Sequence, residues 1–297
     1  DLNFKKNEKK AISFEKFFFD KAYKIFINEK PKIVIVQGDT KTCLISAMAA
    51  NATRQYNQKI KIFHIEAGLR SYDYSMPEEL NRVIVDHLSD YLFPPTKIQE
   101  KILKKEKIKK RIIVVGSTLS DNLKNRKIKN LNKNFFLLTI HRFENVSSKK
   151  KLSKILDIIN FIANRRKIKI IFPVHPNTYK KIVKYGIKLN KKYVDVVKPL
   201  NYEKFLVLVK NAKIILSDSG GIQEEACILK TPHITLRENT ERPETLQIKS
   251  NYLISLNKKK INELISKLSR NKFLWEDPYG RNVSSKIFHH IKHALLS

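Results

Sequence analysis

The sequence predicts an α/β protein of two domains, each built on a parallel sheet with helices on both faces. Three observations lead there. Apolar runs of strand length alternate with longer segments whose apolar residues recur at helical spacing, the grammar of parallel α/β sheets. The 297 residues, 42% of them hydrophobic, suffice for two cores of ordinary size. The alternation is interrupted at Asn122 to Asn134, a stretch rich in Lys and Asn and poor in apolar side chains. That composition shift sets the boundary, giving a domain over 1–121, a second over 122–277 and a closing segment over 278–297.

In order, Ala11 to Glu29 reads as a helix on the spacing of Phe14, Phe17, Phe18, Ala22, Ile25 and Phe26, and Pro31 ends it. Lys32 to Val36 is a buried strand, Gln37-Gly38-Asp39-Thr40 its turn, and Thr42 to Ala52 the next helix. Lys61 to Ile65 is a strand that ends at Glu66-Ala67-Gly68. A loop, Leu69 to Ser75, leads to a helix from Met76 to about Ser89. Tyr91 to Phe93, Thr96 to Lys107 and Arg111 to Val115 read as strand, helix and strand. Past the boundary the strands are Phe135 to Ile140, Ile168 to Val174, Val194 to Val197, Ile214 to Leu216, His233 to Leu236 and Tyr252 to Ser255, and Lys286 to Leu296 is a last helix.

Composition excludes several classes. No apolar run approaches the ~20 residues that span a bilayer, so no membrane insertion is expected. Asp1 to Lys10 is polar and charged, unlike a signal peptide. The two cysteines, Cys43 and Cys227, lie in apolar helical patterns and read as small buried side chains, which fits a reducing, cytoplasmic setting. The net charge of +32 raises nucleic acid as a partner. The lysines are spread along the whole chain, however, without a stripe or a recognition motif, so no specific nucleic-acid role is read. Weak non-specific binding at low salt is expected from the charge alone.

The chemistry is read at strand ends. Ser217 to Ala226 follows Ile214-Ile215-Leu216, so Ser219-Gly220-Gly221 is a strand-to-helix turn. Two glycines let backbone N–H groups approach a ligand closely, with the positive end of a helix dipole behind them, and a diphosphate fits such a site. Glu225 lies about one helical turn in, where it can accept from two sugar hydroxyls. By itself the turn could equally be an ordinary glycine-rich helix start. His141-Arg142 ends one strand and His175 the next, and Arg242 lies in the loop Thr240 to Glu244; all suit phosphate charge. No HExxH or comparable cluster accompanies them, so no metal site is read.

Asp39 and Glu66 stand just past strand ends, where parallel sheets open onto a crevice. A structural alternative stays open for each: Asp39 capping the helix near Thr40, and Glu66 pairing with Arg70. For Glu78 the structural alternative is the stronger, because Ser75-Met76-Pro77-Glu78 has capping-box spacing and Glu78 and Arg82 are an i,i+4 pair. Together these residues outline a cleft with anion-binding groups on the second domain and carboxylates on the first, a layout that suits a nucleotide-linked substrate.

The chain resembles the non-hydrolysing UDP-N-acetylglucosamine 2-epimerases. The matching stretches run from Asp1-Leu2-Asn3 to the last helix. They include Gln37 to Thr40, His64 to Arg70, Met76 to Arg82, Thr139 to Arg142, Ser217 to Glu225 and Thr240 to Glu244. The resemblance implies a GT-B-like fold, two Rossmann-like domains facing each other across a cleft, with the last helix returning to the first. It implies reversible interconversion of UDP-GlcNAc and UDP-ManNAc by anti elimination of UDP to a 2-acetamidoglucal and re-addition, with no metal and no cofactor, in a homodimer. Asp39, Glu66 and Glu78 match the family's acid–base carboxylates, with His141 beside them. His141, Ser219, Gly220, Gly221, Glu225 and Arg242 match its UDP-binding positions, and Leu200 and Phe205 fall where the family frames the uracil.

One departure stands out. Family members open with a strand and a Gly-Thr-Arg-Pro-Glu loop, and that segment, roughly 50–60 residues or one βαβ unit or more, is not found here. The expectation is an N-terminally truncated member, poorly active as it stands. Three further readings stay open: a hydrolysing 2-epimerase that releases ManNAc, a 2-epimerase of a UDP-diacetamido-uronic acid, and a catalytically dead UDP-sugar-binding chain. A basic nucleic-acid binder is the outside case.

Overall fold

Ile33–Gln37 (β1), four β-branched residues and a glutamine, pairs in parallel register with Lys61–Ile65 (β2). Tyr91–Phe93 (β3) and Arg111–Ile112 (β4) extend the sheet in the order β1-β2-β3-β4, all parallel. The computed structural model describes residues 11–56, 60–132, 134–270 and 275–296. The resemblance at Asp1-Leu2-Asn3 and the polar stretch to Lys10 lie outside the described residues. The chain divides into two compact units, one made of residues up to Asp121 and those from Tyr279 onward, the other of Asn122–Pro278.

In the first unit, Ala11–Glu29 (α1), Lys41–Ala52 (α2), Pro77–Leu88 (α3) and Lys97–Lys105 (α4) follow in order, Thr118–Lys124 (α5) begins within it, and Val283–Leu296 (α13) is its last helix. Strand alternation sorts the core. Val34, Val36 and Ile62 pack against Cys43, Ala47 and Ala50 of α2 on one face. Phe63 and Phe93 pack against Val283, Ile287 and Ala294 of α13 on the other. The Phe63 and Tyr91 rings stack with centroids 4.2 Å apart. Burial of each such side chain stabilises by about 1.5–3 kcal/mol.

Several elements of this unit differ from the sequence reading, and α13 begins at Val283 rather than Lys286. β4 stops at Ile112 rather than Val115, although the Ile113 and Val115 amides still donate to Leu92 and Pro94, at 2.9 and 3.2 Å. Helix α5 runs into the Lys- and Asn-rich stretch, held by the Asp121 carboxylate, which accepts from the amides of Val283 and Ser284.

The second unit contains Phe135–Thr139 (β5), Phe143–Val146 (α6), Lys149–Arg166 (α7), Lys169–Pro173 (β6), Pro176–Lys184 (α8), Val194–Val197 (β7) and Tyr202–Asn211 (α9). Ile214–Ser217 (β8), Gly220–Ile228 (α10), His233–Thr235 (β9), Pro243–Gln247 (α11), Asn251–Leu253 (β10) and Lys258–Arg270 (α12) complete it. Its six parallel strands run β10-β9-β8-β5-β6-β7. The chain winds outward from β5 to β7, then crosses to β8 and winds the other way. The reversal falls between β5 and β8, and in such sheets ligands bind outside the carboxyl ends at that point. Phe136, Leu138 and Leu216 face α7 and α12, while Phe135, Leu137 and Ile215 face α9 and α10.

Candidate active site

At the reversal point of the second unit, His141-Arg142 leaves β5 and Ser219-Gly220-Gly221 leaves β8. Asp218, fully buried, ties the two turns together. Its carboxylate accepts from the backbone amides of His141 (3.1 Å) and Arg142 (3.0 Å) and from the Asn145 side chain (3.0 Å), and it lies 3.3 Å from His141 Nδ1. Burial opposes its charge, but His141, Asn145 and the Arg142 amide outweigh burial and hold the carboxyl below its ordinary range. The His141 ring is thereby fixed while 42% of its side chain stays exposed. The sequence alone does not show this role of Asp218, because the partner amides lie 76 and 77 residues away.

The two glycines of the turn are not equivalent. A Cβ on Gly220 would run into the Glu241 carboxylate, whereas nothing lies within 4 Å of one on Gly221. Glu241 ion-pairs with Arg237 at 3.0 Å and faces Arg142 at 3.5 Å. The open approach to the start of α10 is therefore at Gly221 and the half-buried Ser219. Glu225, one turn in, is buried and accepts from the Tyr202 hydroxyl at 3.0 Å. Burial pushes its carboxyl up to about 7, and the Tyr202 bond only partly offsets this. Leu200 and Phe205 flank the start of α9, and Phe205 packs on the core beside α10.

Arg242, the further candidate for phosphate charge, lies in the loop that leads into α11. It is the N-cap residue of α11, its side chain only 7% exposed and 2.6 Å from Glu224. His175 is exposed at the carboxyl end of β6, next to β5, where its Nδ1 accepts from the Asn177 amide at 3.2 Å and caps α8.

In the first unit, Asp39 and Glu66 stand past the carboxyl ends of the neighbouring strands β1 and β2. Thr40, not Asp39, caps α2, accepting from the Cys43 amide. The Asp39 carboxylate is instead gripped by Arg82 of α3, with Nη2 at 2.6 Å and Nε at 2.9 Å. Glu66 accepts from Gln37 at 2.8 Å rather than pairing with Arg70, which is engaged by Asp86 and Glu106. Its backbone is left-handed, with φ +69°, and Gly68 follows at φ +78°. Left-handed backbone at a non-glycine residue is strained, and such strain collects at functional sites.

Glu78 opens α3 half-buried. The capping box is not formed: Met76 is the N-cap without a side-chain bond, and the Ser75 hydroxyl turns to Asp73 at 2.5 Å. Nor does Arg82 pair with Glu78. It bridges Asp39 and Glu79, the latter at 2.6 Å. Both features that made Glu78 look structural are thus taken up by other residues. Glu79, Arg82 and Asp86 share one buried face of α3. Among the described residues, no group of three or more His, Cys, Asp or Glu could hold a metal ion, and no helix is long and apolar enough to cross a membrane.

The architecture is α/β and GT-B-like, two Rossmann-like units, with a glycine-bearing strand-to-helix turn on one and carboxylates at the strand ends of the other. Comparison with known proteins gives the family. The UDP-N-acetylglucosamine 2-epimerase family matches residues 5–292. The UDP-N-acetylglucosamine 2-epimerase of Methanocaldococcus jannaschii is 44% identical over 282 residues, covering 89% of this chain and 75% of that protein. The crystal structure of the M. jannaschii enzyme in complex with UDP-GlcNAc and UDP superposes with a TM-score of 0.82 at 40% identity, over 94% of this chain and 80% of that one. The UDP-2,3-diacetamido-2,3-dideoxy-D-glucuronate 2-epimerase of Pseudomonas aeruginosa is 34% identical over 240 residues, covering 77% of this chain and 65% of that protein. The chain belongs to the UDP-N-acetylglucosamine 2-epimerase family, and its members of this kind are isomerases.

Proposed function

We propose that this protein interconverts UDP-GlcNAc and UDP-ManNAc without hydrolysis. The second unit holds UDP: the ribose on Glu225, the diphosphate at Ser219 and Gly221 with His141 and Arg142, and the uracil beside Leu200 and Phe205. The observation that carries this is the open Gly221 at the reversal point with the buried Glu225 one turn behind it. A carboxylate poised near neutrality can accept from two hydroxyls once a ligand displaces Tyr202. Arg242 acts through Glu224, placing the start of α11.

The carboxylates of the first unit exchange the C2 proton. That proton is weakly acidic, so its removal is coupled to departure of UDP, whose growing charge the α10 terminus and the basic side chains stabilise. Asp39, Glu66 and Glu78 share the proton transfers, taking C2–H from one face and returning a proton to the other. Protonation of the acetamidoglucal at C2 uses the C1–C2 π pair and makes C1 electrophilic, and the UDP oxygen adds back there. The relative of higher identity acts on UDP-GlcNAc by its name, which supports that sugar over the diacetamido-uronic acid. A cytoplasmic homodimer completes the reading.

The test is direct. Incubation with UDP-GlcNAc, followed by ¹H NMR, should produce UDP-ManNAc with no net loss of UDP-sugar. Free ManNAc would point to the hydrolysing reaction. Binding without turnover would leave a UDP-sugar-binding protein.

A further inference from the structure

His64 is fully buried between the two turns that carry Asp39 and Glu66, and no step above uses it. Its Nε2 lies 3.0 Å from the Gly38 carbonyl oxygen, which can only accept, so Nε2 must donate. Its Nδ1 lies 2.7 Å from Asp86 Oδ1. Asp86 is itself fully buried, and its other oxygen accepts from the Gly68 amide at 3.1 Å and faces Arg70 at 2.8 Å. A carboxylate against an arginine is ionised and accepts, so Nδ1 donates as well. Both ring nitrogens carry protons.

We propose that Asp86 and a doubly protonated His64 are a positioning pair that sets the Gly38-Asp39 and Glu66-Gly68 turns against each other for proton transfer. One end of the imidazolium holds the first turn by its carbonyl. The other reaches, through Asp86, the amide of the second. Burial disfavours the imidazolium, but the charge of Asp86 and its hydrogen bond outweigh this and hold His64 up to about 10. The groups that face the ring are Asp86 from α3 and Cys43 from α2, with Arg70 behind Asp86. A neutral leucine–leucine contact could fill the same space without joining the two backbones. The ion pair fixes them because each of its bonds is directional.

Two measurements test this, and only the second rests on the epimerase reading. First, ¹⁵N NMR of the histidine-labelled protein should show both His64 nitrogens protonated at about pH 8, where an unperturbed histidine is neutral; the signal is assigned by its loss in His64→Gln. A singly protonated ring at that pH would overturn the proposal without any variant having to turn over substrate. Second, His64→Asn keeps a donor near Nδ1 but cannot reach Gly38, whereas His64→Gln keeps one near Nε2. His64→Asn should lower kcat by roughly 10- to 100-fold, the scale of a small misplacement of catalytic groups, with KM for UDP-GlcNAc little changed. His64→Gln should recover part of the loss. Wild-type kcat in His64→Asn, or a loss confined to KM, would overturn it. A wild-type protein that does not act on UDP-GlcNAc would defeat the epimerase reading and leave the NMR result to decide the pair.

Discussion

Glu225 gives the sharpest consequences of a single residue. Burial pushes its carboxyl up to about 7 in the unliganded protein, and in the proposed site the ionised form is the one that would accept from both ribose hydroxyls. Ligand binding therefore releases a proton as the site is driven to its charged form. Affinity for UDP-GlcNAc, whose diphosphate does not titrate in this range, should rise with pH through about 7 and level off above it. Glu225→Gln should flatten that dependence, and Glu225→Ala should weaken binding by about 1–3 kcal/mol at pH 8, read by calorimetry. Affinity that is independent of pH in the wild type would remove Glu225 from the ribose site. The neighbouring glycines separate packing from binding. Gly220→Ala drives a methyl into the Glu241 carboxylate and should cost about 1–3 kcal/mol of stability. Gly221→Ala meets nothing within 4 Å, so it should leave the unfolding midpoint unchanged and still weaken UDP binding by filling the phosphate approach.

At the scale of elements, α3 organises the first unit. Its face of Glu79, Arg82 and Asp86 reaches three loops at once. Glu79 accepts from the Ser71 and Tyr72 amides, both at 2.9 Å; Arg82 holds Asp39; and Asp86 holds His64, Gly68 and Arg70. Removing one partner from such a buried pair leaves an uncompensated charge. Arg82→Met should therefore destabilise by about 3–5 kcal/mol in denaturant unfolding. Glu78→Gln, on a half-buried side chain in the same helix, should stay within about 0.5 kcal/mol of wild type while turnover falls roughly 100-fold. If Glu78→Gln instead cost as much stability as Arg82→Met, Glu78 would be part of the scaffold.

These elements also show what the sequence could and could not reveal. The strands were legible because parallel strands buried on both faces are continuous apolar runs, as Phe135 to Leu138 is; Ile33 to Val36 reads the same in sequence, yet the structure leaves Ile35 exposed, so that strand is buried on one face only. The carboxylates at their ends were legible from position alone. The pairings were not, since each had a nearer partner in sequence than in space. Ser75 has capping-box spacing to Glu78, yet Asp73 takes its hydroxyl. Arg70 lies four residues from Glu66, yet Glu106 binds it through two nitrogens. Asp218 and Asp86 escaped notice because their work is done on backbone amides and on side chains far along the chain, which leaves no local pattern.

For the whole molecule, UDP recognition and proton transfer are assigned to different compact units. Variants of Asp39, Glu66 and Glu78 should accordingly keep UDP affinity within about twofold while kcat drops by roughly 100-fold. The charge of +32 predicts a background of non-specific nucleic-acid binding that vanishes as salt is raised, without changing UDP affinity in proportion. Above all, in the proposed reaction C2 loses its proton to the protein and regains one from it. The decisive measurement is turnover of UDP-GlcNAc in heavy water, with the product examined by ¹H NMR and mass spectrometry. UDP-ManNAc carrying one deuterium at C2 is the predicted result. UDP-ManNAc that retains the original C2 hydrogen would rule out proton exchange at C2.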